Sequence, residues 1–237
     1  MGSRFFVGGY DLSGDTNALS KIGGGSALID VSAINGSAYE RLGGKRDGSI
    51  DFTVVFNDAA GASHVVLSAL PTTDVTAIYA SAATVGAPGA GIVGKQDNYP
   101  LANAQDGALT AAVSVMSNGY GVHHGYMLTA GLRTESAATN GASIDTLASA
   151  SFGLSAFLVV TALASGTPTI KIQDSADDST FADVTGATFG TVAALDNEAI
   201  QTATGATVRR YVRVITTGTF TGLSFACVVN KHTVSTI

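Results

Sequence analysis
The sequence predicts a mainly β protein: a first β domain with one short helix at about 58–70, followed by a second β domain of the sandwich or jelly-roll kind. Three observations carry this expectation. Only 13% of the 237 residues are charged, and 29 glycines accompany abundant Ala, Ser, Thr and Val, a mixture suited to strands and tight turns. Apolar residues recur with period two in short runs, as at 49–57, where Ile50, Phe52, Val54 and Phe56 share one face and Asp51 and Thr53 the other. One segment alone has helical spacing: Ala62, Val65, Val66, Ala69 and Leu70 form a stripe, Asn57 or Asp58 stands at the cap position and Pro71 at the stop.

Residues 1–25 mix Phe5, Phe6 and Tyr10 with polar residues and finish in three glycines, so they read as an N-terminal arm with little core of its own. The first β domain is expected over 26–132. A strand ends near Asn35 and a second runs over 49–57, and between them SAYERLGGKRDG (37–48) reads as a charged, Gly-rich loop. After the helix, strands are expected at 74–85, then at 92–98 beyond the GAPGAG break, at 108–116, and at 120–128 beyond the Asn118-Gly119 turn. Residues 99–107 read as a loop. The Ser/Thr/Ala/Asn-rich segment 133–150 is the expected linker, and 151–237 the second domain. Its strands are expected at 152–163, 169–173, 181–184, 199–203, 208–215 and 223–229, a spacing that suits a sandwich. Within 208–215 one side is core, with Arg210 as the exception and therefore near an edge.

A formal charge of −6 argues against a protein that grips nucleic acid, which needs clustered Lys and Arg. The apolar run at 156–164 is about half of the roughly twenty residues a spanning helix needs, and the N-terminus has too short an apolar run for a signal peptide, so neither membrane insertion nor export is expected. The single Cys227, within FACVV, reads as a small buried hydrophobe.

No catalytic or cofactor motif emerges. Adjacent His123 and His124 on one strand point to opposite faces and cannot share one metal ion, so they read as ordinary surface histidines. DSADDST (174–180) lacks the central Gly and terminal Glu of a calcium loop and uses the residues a β-turn uses. The Gly-rich segments have neither GxGxxG nor GKS/T spacing between a strand and a helix, and no GxSxG elbow occurs. No metal, cofactor or catalytic residue is therefore assigned, and the chain is expected not to be an enzyme.

Across 26–131 the order of strand, charged loop, helix and strand resembles the major tail tube protein of long-tailed, non-contractile bacteriophages. The likeness is carried by DVSAINGSAYERLGGKRDGSIDFTVVFNDAAGASHVVLSALPTTDV and by GAPGAGIVGKQDNYPLANAQDGALTAAVSVMSNGYG. The remainder, with IKIQDSADDSTFADV and RRYVRVITTGTFTGLSFACVV, resembles the β-sandwich decoration modules that such proteins carry outside the tube. The resemblance implies a tail-tube β-sandwich or barrel and a virion protein, assembled in the host cytoplasm. Six copies would form a ring, and rings would stack into a hollow tube. The partners it implies are other copies of the chain, a tape measure protein, and DNA passing transiently through the lumen without specific binding. An acidic or neutral wall suits such a conduit, because it does not hold phosphate. By the same analogy Tyr39, Glu40, Arg41, Lys45, Arg46 and Asp47 are the expected subunit or ring-stacking contacts, with the N-terminal arm and 99–107 as second choices. The alternative is a soluble β-rich adhesin or carbohydrate-binding module.

Overall fold
The computed structural model describes residues 2–105 and 107–235 and is mainly β. In chain order the elements are β1 (Arg4–Val7), β2 (Tyr10–Asp11), β3 (Thr16–Asp30), β4 (Arg41–Val55), helix α1 (Ser63–Leu67), β5 (Val75–Ala80), β6 (Pro88–Gln96), β7 (Leu101–Asn103), β8 (Leu109–Ser117) and β9 (His123–Met127). They continue with β10 (Arg133–Glu135), β11 (Ile144–Asp145), β12 (Leu154–Ala162), β13 (Ser165–Gly166), β14 (Thr169–Ser175), β15 (Ala182–Thr188), β16 (Asp196–Gln201), β17 (Tyr211–Thr217), β18 (Phe220–Thr221) and β19 (Leu223–Lys231).

One large antiparallel sheet runs in the order β16-β12-β19-β9-β6-β5-β1-β2. From β6 it branches through β8 to β4 and β3, with β7 on the other side of β8. A second sheet, β11-β17-β14-β15, packs over the C-terminal part of the first, and its buried Ile170, Ile172, Val212 and Val214 join Leu154, Leu158 and Phe225 in one core. A second core lies under β4 and β8, around Phe5, Phe52, Ile92 and Val113. A third joins strands from both sides of residues 133–150, bringing Phe6, Ile78 and Met127 against Phe157 and Val228.

Several expectations change. Residues 1–25 are not an arm without a core: Phe5, Phe6 and Val7 of β1 are buried, and β1 pairs with β5 along its length. Phe5 and Phe6 are taken up by the chain's own sheet. Residues 133–150 carry β10 and β11, and the main sheet passes across this region because β9 pairs with β19. The helix is shorter than its apolar stripe suggests. It has no side-chain cap at Ala62, since Asn57 caps Ala59 instead and the Ser63 N–H is taken by Asp15. The GAPGAG segment does not end a strand before Ile92. Gly89 and Gly91 lie inside β6, where a Cβ at Gly91 would fall 2.3 Å from the Phe157 ring.

Candidate functional site
The two longest strands, β3 and β4, form one hairpin, and its two halves differ. In the inner half, Ile50, Phe52 and Val54 are buried, and β4 pairs with β8 from Ser49 to Val55 while β3 covers its other edge. Outward of Ser49 no third strand joins among the described residues, so there β4 from Arg41 to Gly48 pairs with β3 alone. That outer half is a two-stranded ribbon with nearly every residue exposed.

The segment expected as a charged loop, 37–48, is a strand from Arg41 onward, and the turn itself lies at 31–40. Glycines that mark a loop by composition here allow close backbone pairing. A Cβ on Gly24 would come within 2.3 Å of Gly48 Cα, and one on Gly44 within 3.0 Å of the Ala27 carbonyl oxygen. The tip is closed by Ser32, whose hydroxyl accepts from the Glu40 N–H (2.8 Å) and donates to Asp30 Oδ1 (2.6 Å).

The six expected contact residues thus occupy three settings. Tyr39 and Glu40 belong to the turn, where Tyr39 is exposed and its ring lies 5.1 Å beneath the Arg41 guanidinium. Arg41, Lys45 and Asp47 are exposed on the ribbon, where the pairing slips by one residue between Gly43 and Arg46 and interrupts the alternation of faces. Arg46 is half-buried and lines a cavity of about 220 Å³ with His123, His124 and His232. Lys95, Arg133, Lys171, Arg209 and Arg210 each meet a carboxylate, whereas among the described residues the four hairpin cations Lys21, Arg41, Lys45 and Arg46 have no ion pair, nor do Arg4, Arg213 and Lys231 outside it.

Composition does not reveal the apolar character of this site. Leu28, Ile29, Val31, Ile34 and Leu42 are all exposed on the outer ribbon or its turn, and Ile34, at 107%, is as open as a side chain can be. A two-stranded ribbon wet on both faces is marginal by itself, and a long unpaired strand edge is a template for another strand. β3 presents such an edge, and β7, three residues long, presents a short one at the far side of β8. The second-choice segment 99–107 contains that short, exposed strand.

The histidine pair behaves differently from its expectation. His123 and His124 do point to opposite faces, but His123 is buried, 5.4 Å from the Phe157 ring and 5.9 Å from the His232 ring. Burial, with the nearby charges of His232, Arg46 and His124, pushes the His123 imidazole down to about 4. His232 is also lowered by burial. Its Nδ1 faces the Phe152 carbonyl at 3.1 Å, which requires the proton on Nδ1, so Nε2 accepts from the Ser155 hydroxyl at 3.0 Å. Cys227 is buried, and desolvation pushes its thiol well above the ordinary range. Within 174–180, Asp174 and Ser175 end β14 and residues 176–180 make a turn organised by Asp177, whose carboxylate accepts the N–H groups of Thr180 and Ser179 and is held well below its usual range by those bonds. Among the described residues no three potential metal ligands cluster, and no helix is long and apolar enough to cross a membrane.

No protein-family model and no curated protein matches the chain. Among solved structures it is similar to the Dit protein of SPP1, described as a paradigm of the hub adsorption apparatus in Gram-positive infecting phages, at 10% identity and a TM-score of 0.36 over 98% of this chain and 100% of that one. It is also similar to a chain of the phage p2 baseplate in its activated conformation with Sr, at 8% identity and a TM-score of 0.37 over 98% of this chain and 99% of that one. Values this low leave function to be argued from the site itself.

Proposed function
We propose that the chain is a structural subunit of a phage tail, acting mechanically and self-assembling through its β3–β4 hairpin into closed rings that stack as a tube. The observation that carries this reading is the outer hairpin, which leaves Leu28, Ile29, Ile34 and Leu42 uncovered beside an unpaired strand edge. The β7-β8-β4-β3 sheet has one open edge at each end. Pairing β3 of one copy with β7 of the next covers β7 and part of the longer β3 edge, and repetition of that contact closes a ring. Two-sided ribbons then project toward adjoining copies or rings, where Arg41, Lys45 and Arg46 find the carboxylates they lack within their own chain. The tail-tube resemblance of residues 26–131 supplies the rest of the reading: six copies per ring, a location in the virion, and a lumen that houses a tape measure protein and passes DNA.

Negative-stain microscopy of the purified full chain, with sedimentation velocity alongside, tests this. Stacked rings in the parent, with R41E and R46E remaining folded monomers, are the expected result. Persistent monomers of the parent overturn self-assembly, isolated rings overturn stacking, and normal tubes from both variants overturn the role of the hairpin charges.

A further inference from the structure
We infer that the solvent face of the second sheet is a binding site for an acidic oligosaccharide. Strand alternation sends Ile170, Ile172, Val212 and Val214 into the core, which leaves Lys171, Gln173, Tyr211 and Arg213 on the outer face. The register places Arg213, Gln173 and Asp183 side by side on three adjacent strands. Their side chains form one chain of hydrogen bonds. Arg213 Nε and Nη2 donate to Gln173 Oε1 (3.1 and 2.8 Å), Gln173 Nε2 donates to Asp183 Oδ1 (2.7 Å), and Lys171 Nζ donates to Asp183 Oδ2. Each group is therefore held in place before any ligand arrives, which lowers the ordering cost of binding.

The array keeps unused capacity of a definite kind. Arg213 Nη1 and two Lys171 protons have no protein acceptor among the described residues, while the Asp183 carboxylate retains free lone pairs. Donors and acceptors alternating over three strands, about 10 Å across, match the alternating hydroxyls of a short sugar chain. Aromatic surface lies at the same place: Phe181 has the Arg213 guanidinium 3.8 Å above its ring, and Tyr211 is two residues from Arg213 on the same face. Sequence alone shows no such aromatic grouping, because Phe181 immediately precedes β15 whereas Tyr211 opens β17, some thirty residues on.

Charge selects the kind of sugar. Arg209 and Arg210 meet Asp174 and Asp145, and Lys171 meets Asp183. Among the described residues Arg213 has only the neutral Gln173 and the Phe181 ring, which leaves its charge uncompensated on this face. A saccharide bearing a carboxylate complements it, the acid on Arg213 and its hydroxyls on Lys171 and Asp183.

The test is two-dimensional NMR of the full chain, in whatever assembly state it adopts, titrated with trigalacturonate, with neutral maltotriose and with acetate. Trigalacturonate is expected to shift resonances of Lys171, Gln173, Asp183, Tyr211 and Arg213 saturably. R213Q should weaken that binding about tenfold, the equivalent of one charge-assisted hydrogen bond, with D183N as a second variant. No saturable shift with trigalacturonate overturns the proposal, as do equal binding of maltotriose, equal binding of acetate, or unchanged affinity in both folded variants. Because binding is read at named residues, its failure leaves self-assembly standing, and the reverse also holds.

Discussion
Gly91 on β6 and Phe157 on β12 occupy one site: the Phe157 ring sits where a side chain at 91 would be, with Cδ2 2.3 Å from the position of a Cβ. Phe157 is buried in the core that also holds Phe6, Ile78 and Val228, so this contact locks the C-terminal strands onto the N-terminal ones. G91A should therefore destabilise the whole chain by about 1–3 kcal/mol through overpacking, and F157L combined with G91A should recover part of that loss. Urea denaturation with tyrosine fluorescence and far-UV circular dichroism measures both.

Cooperativity follows from the same contact. Strands from both sides of residues 133–150 share one sheet and one core, so the two probes should report a single transition. Two resolved transitions would mean that 26–132 and 151–237 unfold separately, as the composition of 133–150 suggests.

Between the sheets, Arg133 and Glu135 form a nearly buried ion pair, and Thr216 of β17 donates to Glu135 Oε2. Arg133 also reaches the Val214 and Thr139 carbonyls, so this pair fastens β10 to the second sheet. E135A leaves the guanidinium uncompensated and should cost about 3–5 kcal/mol, whereas replacing both residues by apolar side chains of similar volume should cost less. Thermal unfolding of the single and double variants distinguishes a staple from a spectator.

What was legible in the sequence follows physical lines. Strands with one wet face, such as β14 and β17, announce themselves by alternation, whereas Arg210, expected within a strand near an edge, falls in the bend just before the inner strand β17 and pairs with Asp145 of the edge strand β11. The outer halves of β3 and β4 do not, because a ribbon wet on both sides has no period-two signal and its glycines mimic a turn. The burial of Phe5 and Phe6 was hidden for another reason: their partner strand, β5, lies some seventy residues away. Of the candidate site, the charges at 40–47 were visible as a cluster. The exposed Leu28, Ile29 and Ile34 were not, since exposure is a property of what fails to pack.

On the proposed reading the outer ribbon contributes contacts for assembly and little to the monomer. Replacing Leu28, Ile34 and Leu42 together by Ser should therefore change monomer stability by no more than about 0.5 kcal/mol per site. The same variant should lose assembly, and a large drop in melting temperature would instead place these residues in the monomer's own core.

His123 gives the fold a pH dependence whose sign is fixed. A base held at about 4 in the folded chain, against 6.5 when unfolded, binds its proton more tightly when unfolded. Its contribution to stability is therefore complete above pH 6.5 and is lost as pH falls from 6.5 toward 4, by roughly 3 kcal/mol at about 1.4 kcal/mol per unit. His232, lowered in the same direction, adds to the slope over the upper part of that window. The depressed carboxylates Asp74 and Asp183 act in a different range: their stabilisation is present above their ordinary value of 3.8 and fades only below it. Loss of stability between pH 6.5 and 4 is thus a histidine effect, and H123Q should flatten it while leaving the steeper acid limb in place. Urea midpoints at half-unit pH steps for the parent and H123Q decide the matter, because superimposable curves would mean that His123 takes up its proton without leaving the fold.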